Sequence, residues 1–201
     1  MTTKKPIVST LVLFLSLFLS NPMSAQEELP YREIPDYPED YSPGNVAARM
    51  IDGLGFRYYW ATEGLTQKDL EYKPSKDGRA SIETLRHIHG MSKMILNAAD
   101  ATPNVSLENP PQLSFKELRK ETLLNLKAAS TKMLGKQAKD FEATGVVFQR
   151  GDQESKYPYW NLINGMLSDC IYHAGQITLM RRASGNPIHP KVSMFNGKLR
   201  S

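Results

Sequence analysis

The 201 residues carry a formal net charge of +4, with 25 Lys and Arg scattered among 21 Asp and Glu. Such scatter lacks the concentrated cationic face that nucleic acid requires, so nucleic acid is excluded as an expected partner. The single cysteine, Cys170, rules out an internal disulfide, and the fold must be held by packing.

Residues 1–25 have the pattern of a secretory signal. Lys4 and Lys5 precede a mostly apolar run over residues 7–19, too short for a permanent bilayer span. Asn21-Pro22 then breaks the run before Met23-Ser24-Ala25, which makes Gln26 the expected new N-terminus. The implied address is the periplasm or the exterior, with no stable membrane insertion after cleavage. The mature chain is an arm and then one domain's worth of residues, 43–201. The arm, residues 26–42, contains Pro30, Pro35 and Pro38 and shows no helical period. Tyr31, Ile34, Tyr37 and Tyr41 are expected to pack it onto the domain.

The first helix should open at Ser42-Pro43, a capping residue and a first-turn proline, and reach about residue 63. Val46, Met50, Leu54 and Ala61 mark its expected apolar stripe. Gly53 and Gly55 suggest the close approach of another helix, and Tyr58, Tyr59 and Trp60 suit core and rim. Residues 64–80 are expected to be loop. The second helix starts at Ser81, with Glu83 favourable in its first turn, and ends near Ala99. Leu85, Ile88, Ser92 and Ile95 form its dry side. His87 and His89 flank that side about 100° from Ile88 in opposite senses, so periodicity does not choose between them.

Residues 100–113 should be loop. Ser114 and Glu117 form a capping box for a third helix reaching about Gly135, with Phe115, Leu118, Leu126, Ala129 and Met133 on one face. The apolar run at residues 144–148 fits either a short strand or an ordered loop. The last helix begins near Pro158, passes Met180 and stops at Gly185-Asn186-Pro187. The tail beyond it should be loop, with His189 exposed and inert. Four amphipathic helices of this kind define an all-α four-helix bundle with an extended N-terminal arm. A homodimer of such a bundle is compatible with the pattern.

In the last helix Leu162, Met166, Asp169, His173, Gln176, Ile177 and Met180 share one face, expected to be buried. Asp169 and His173 stand four residues apart and reach the same point in space. A buried carboxylate is costly unless something compensates it. A divalent metal can do so, and so can an Asp–His hydrogen bond that only fixes packing. A histidine from the second helix would complete a three-residue site. Gln176 is placed to bond a metal-bound water, to orient a ligand, or to cap the network. Cys170 lies roughly 70° from the centre of this face and suits small-residue packing rather than nucleophilic chemistry.

The pattern Ser81-Ile82-Glu83-Thr84-Leu85-Arg86-His87-Ile88, followed by Asp169-Cys170-Ile171-Tyr172-His173-Ala174-Gly175-Gln176-Ile177 and Arg181-Arg182-Ala183-Ser184-Gly185, resembles the DinB/YfiT-like superfamily. The resemblance spans roughly residues 43–197. It implies a four-helix bundle with a divalent metal, commonly zinc or nickel, held by three histidines: one on the second helix and two, four apart, on the last. His87 takes the first role and His173 the third. Asp169 stands where the second histidine is usual. Aspartate is a competent ligand, but it lowers the site's net charge and makes a bound water less acidic.

The resemblance implies a metal-dependent hydrolase or a transferase of low-molecular-weight thiols, both using an open metal position. Export favours hydrolysis, because cytosolic thiol cofactors are scarce outside the inner membrane. A non-catalytic metal- or ligand-binding bundle is the alternative of a different class. The substrate would be a small molecule that no residue names.

Overall fold

In the computed structural model, which describes residues 28–201, Ser42 and Pro43 open helix α1 (Pro43–Thr62) as expected, the Ser42 hydroxyl accepting the Asn45 N–H at 3.4 Å. The secretory signal expected at residues 1–25 lies outside the described residues. Leu54 and Ala61 are buried, but Val46 and Met50 face outward. The core side of α1 instead runs through Ala48, Ile51, Leu54 and Tyr58, and from Ile51 onward the helix is covered nearly all round. The cover is the segment before it. Tyr31 is buried, with its hydroxyl donating to Asp52 at 2.8 Å, and the Trp60 indole donates to the Arg32 carbonyl at 3.2 Å. Arg49 donates to the Pro35 carbonyl at 2.7 Å. Tyr37 and Tyr41 do not pack as expected: both are exposed, and Tyr37 only receives the Arg49 guanidinium over its ring.

Gly55 therefore makes room for this segment rather than for a helix. A Cβ there would lie 2.4 to 2.6 Å from Tyr31 ring atoms. Gly55→Ala should thus destabilise the protein by about 1–3 kcal/mol, the range of overpacking, although alanine is the better helix former. Urea unfolding measures this, and a variant as stable as the parent would show that Tyr31 does not seat there.

The expected loop at residues 64–80 contains a short helix α2 (Gln67–Glu71), nucleated where the Asp69 carboxylate accepts the Thr66 N–H at 2.8 Å. Helix α3 (Ser81–Ala98) is capped at Ala80, not Ser81, the Ala80 N–H donating to Glu83 at 2.6 Å. Helix α4 (Phe115–Met133) begins with the Ser114–Glu117 box. The final helical stretch has three parts: α5 (Tyr159–Leu162), a π turn (Ile163–Leu167) and α6 (Ser168–Ala183). The four long helices contact one another in a ring, α1 with α4, α4 with α3, α3 with α6, and α6 with α1. Among the described residues no helix is long and apolar enough to cross a membrane.

Strands accompany the helices. β1 (Pro103–Val105) lies in the expected 100–113 loop and pairs in parallel with β2 (Val146–Arg150), Pro103 opposite Val147. β2 pairs antiparallel with β3 (Gln153–Tyr157), Val146 opposite Tyr157. Of the two alternatives for residues 144–148, the strand is the one adopted. The tail, expected to be loop, forms a small hairpin of β4 (Val192–Ser193) and β5 (Lys198–Leu199). It ties down the N-terminal segment through the Ile34 N–H, which donates to the Gly197 carbonyl at 2.8 Å.

Candidate metal centre

The π turn decides what the last helix buries. A π turn bonds i to i+5 and inserts one extra residue into the helical count, and here the Ser168 hydroxyl also reaches back to the Ile163 carbonyl at 2.6 Å. Leu162 therefore stacks with Leu167 rather than with Met166. From there the buried stripe is Cys170, Ala174 and Ile177. The face expected to be buried, with Met166, Asp169, His173 and Gln176, is rotated toward the edge of the core. Cys170 is fully enclosed instead of standing off to one side. Burial, helped by the nearby Asp169 charge, pushes its thiol up to about 12, which suits packing and disqualifies it as a nucleophile at neutral pH.

At that edge, α3 and α6 bring His87, Asp169 and His173 together. One ligand atom from each lies within 4.8 Å of the others. His87 Nε2 and His173 Nε2 are each 3.7 Å from Asp169 Oδ2, and the two imidazoles meet edge to face with centroids 5.0 Å apart. Of the two histidines that periodicity left open, His87 joins the cluster. His89 points away: its Nε2 lies 2.9 Å from Glu121 Oε2 on α4, and the residue is only 7% exposed. Burial holds its pKa below the ordinary histidine value, opposed by the hydrogen bond to Glu121. Of the two, His87 is the exposed one and His89 the buried one.

Gln176 pairs with His173. Its Oε1 lies 2.6 Å from His173 Nδ1; the tautomer with its proton on Nδ1 donates to this oxygen and turns the Nε2 lone pair toward Asp169. A tetrahedral cation with bonds of roughly 2.0–2.1 Å holds its donors about 3.3 Å apart. The two histidine–aspartate separations of 3.7 Å approach that value, and all three donor atoms lie within 4.8 Å of one another. Two imidazoles and one carboxylate suit a divalent metal. The side chains of His87 and Asp169 are 41% and 49% exposed, whereas that of His173 is 12% exposed. The outer side of the cluster, at His87 and Asp169, is therefore open to solvent. Two grooves border the cluster, one lined by His173 and Gln176 beside Arg79, the other by His87 and Asp169 beside Arg86.

The fold and cluster define a helical protein with a three-residue, partly open donor set that can hold a metal ion. No family model matches the sequence, and no curated protein matches it. Among solved structures it is similar to a DinB family member protein from Shewanella denitrificans, at 14% identity and a TM-score of 0.44, over 79% of this chain and 91% of that one.

Sequence reasoning assigned no role to Arg181, which is buried to 4% exposure. It donates to the Trp60, Ala61 and Glu63 carbonyls at the end of α1 and to Asn186. A basic residue in the last turn of α6 reads locally as a partner for that helix's own dipole, and nothing local reveals a second helix at its tip.

Proposed function

We propose that this chain is a DinB-like four-helix-bundle metalloprotein with an extended N-terminal arm, exported by means of residues 1–25, and that it acts as a metal-dependent hydrolase of a small-molecule substrate. The observation that carries the proposal is the convergence of His87 Nε2, His173 Nε2 and Asp169 Oδ2 at an exposed edge between α3 and α6. The sequence motifs around His87 and His173 support the family assignment. Zinc or nickel is the expected ion.

A divalent cation held by these three residues supplies Lewis acidity and lowers the pKa of a water molecule beside it. The protein's own contribution is positional. Gln176 fixes the His173 tautomer, and Asp169 offsets the ion's charge. The second Asp169 oxygen has no hydrogen-bond partner among the described residues.

The purified chain should take up about one divalent ion after reconstitution with zinc, nickel or manganese. Chelation should then lower its thermal midpoint, because the ion binds only the folded state. Asp169→Asn should weaken zinc binding by at least about 10-fold. It should leave the metal-free midpoint within about 2 °C, since a half-exposed carboxylate costs little to keep or remove. Metal content near zero would sink the metal centre. Zinc-loaded protein no faster than stripped protein on p-nitrophenyl esters would argue for a binding protein rather than a hydrolase.

A further inference from the structure

The groove beside His87 and Asp169 has a volume of about 430 Å³ and walls of Met91, Met94, Met166 and Phe148. Two glycines, Gly90 and Gly165, line it. A Cβ built at either meets no heavy atom within 4 Å, and neither has a positive φ. Glycine within a helix costs about 1 kcal/mol relative to alanine. At Gly44 and Gly55 the protein's packing explains that cost, because a Cβ would strike Lys136 or Tyr31. At Gly90 and Gly165, as at Gly175, no such clash does, but of these three only Gly90 and Gly165 line the groove. What they provide is open space next to the cluster, between methionines whose flexible thioethers adapt to varied apolar shapes.

Arg86, exposed and adjacent to His87, lines the same groove. It has no ion-pair or hydrogen-bond partner among the described residues. The groove's charged lining is this guanidinium and the Asp169 carboxylate, with no lysine, and a single guanidinium beside an existing carboxylate suits one further carboxylate better than a phosphate, whose greater charge Asp169 would repel more.

We propose that this groove binds a small monocarboxylate with an apolar chain, the chain lying against Met91, Met94 and Met166 and the carboxylate paired with Arg86. The proposal rests on the metal-centre reading for the chemistry it delivers to that centre, but not for the contacts that hold the ligand.

Octanoate is the probe, titrated into the purified chain carrying ¹³C-methyl methionine, both zinc-loaded and chelator-stripped. The Met91, Met94 and Met166 methyl resonances should shift, while Met50, which lines a separate apolar groove beside Tyr41 and Trp160, should not. Gly165→Leu, which fills the groove, and Arg86→Gln, which removes the cation, should each weaken octanoate by about 10-fold or more, near the value of one charge-assisted hydrogen bond. Gly175→Ala, an equally open helical glycine outside the groove, should leave octanoate binding unchanged. Shifts confined to Met50, or an affinity indifferent to both Arg86→Gln and Gly165→Leu, would overturn the proposal. A chelator competition on the same samples separates the two readings. Methionine shifts without zinc uptake uphold the groove and sink the metal centre, whereas tight zinc without methionine shifts does the reverse.

Discussion

His87→Ala is expected to lower zinc affinity by more than about 100-fold, beyond the roughly 10–100-fold loss that removing an outer hydrogen-bond partner produces. His89→Ala is expected to leave it within about 10-fold. The two residues are two positions apart on α3, so their side chains leave the helix about 200° apart. His87 Nε2 turns to Asp169 on α6, and His89 Nε2 turns to Glu121 on α4. Losing His87 leaves two donors, which cannot hold a divalent ion tightly. Losing His89 instead removes a buried hydrogen bond and leaves Glu121 without this partner. That variant should therefore unfold more easily by about 1–3 kcal/mol, with its metal site intact. The opposite penalties make the test internally controlled: His87→Ala loses metal and keeps stability, and His89→Ala does the reverse. Zinc titration against a competing chelator, with thermal unfolding of the metal-free variants, reads both. Loss of zinc in His89→Ala alone would mean that α3 presents its other flank to α6.

The four long helices and two of their caps were legible because their signals are local. Ser42-Pro43 and the Ser114–Glu117 box lie within one turn of the ends they define. The strands were not, because β1 gains its ladder from β2, more than 40 residues away, and three residues around Pro103 carry no period of their own. The i, i+4 spacing of Asp169 and His173 was legible for the same local reason, while the depth of that face was not. Counting at 100° per residue from Leu162 assumes an unbroken α-helix, and the π turn at Ile163–Leu167 adds a residue to the count. Asn164-Gly165, two poor helix formers in mid-helix, is the one local sign that the count fails there. The result bears on chemistry. An enclosed Asp169 would be an expensive carboxylate, whereas the half-exposed one faces solvent and the open side of the site.

Arg181→Met should lower the stability of the folded protein by about 3 kcal/mol or more, and its thermal midpoint by about 6–12 °C. Arg181 Nη1 donates to the carbonyls of Trp60 at 2.9 Å, Ala61 at 3.2 Å and Glu63 at 2.9 Å. These are among the last acceptors of α1, which its own ladder leaves unsatisfied and which carry its negative dipole end. The Arg181 Nε–H meets the Asn186 carbonyl at 2.7 Å, and the Asn186 amide donates to Asp69 at 2.7 Å. Asp69 in turn accepts from the Ser184 hydroxyl and, at 2.8 Å, from the Thr66 N–H. One guanidinium thus joins the ends of α1 and α6 to the start of α2. Methionine fills similar volume but strands two buried acceptors, at Trp60 and Ala61, and a partly buried one at Glu63, each buried one costing about 1–3 kcal/mol when unmet. Lysine keeps the charge yet cannot fork across two directions, so Arg181→Lys should recover only part of the loss. The network also sets an acid limit. Burial resists ionisation of Asp69, but hydrogen bonds from Ser184, Asn186 and Thr66 outweigh it and hold the carboxyl below its unfolded value of 3.8. Its contribution is therefore complete above that pH and is lost as pH falls toward the folded value. Thermal unfolding of both variants at neutral pH decides the matter: an Arg181→Met midpoint within about 2 °C of the parent would mean that water satisfies the end of α1 and that the arginine is dispensable.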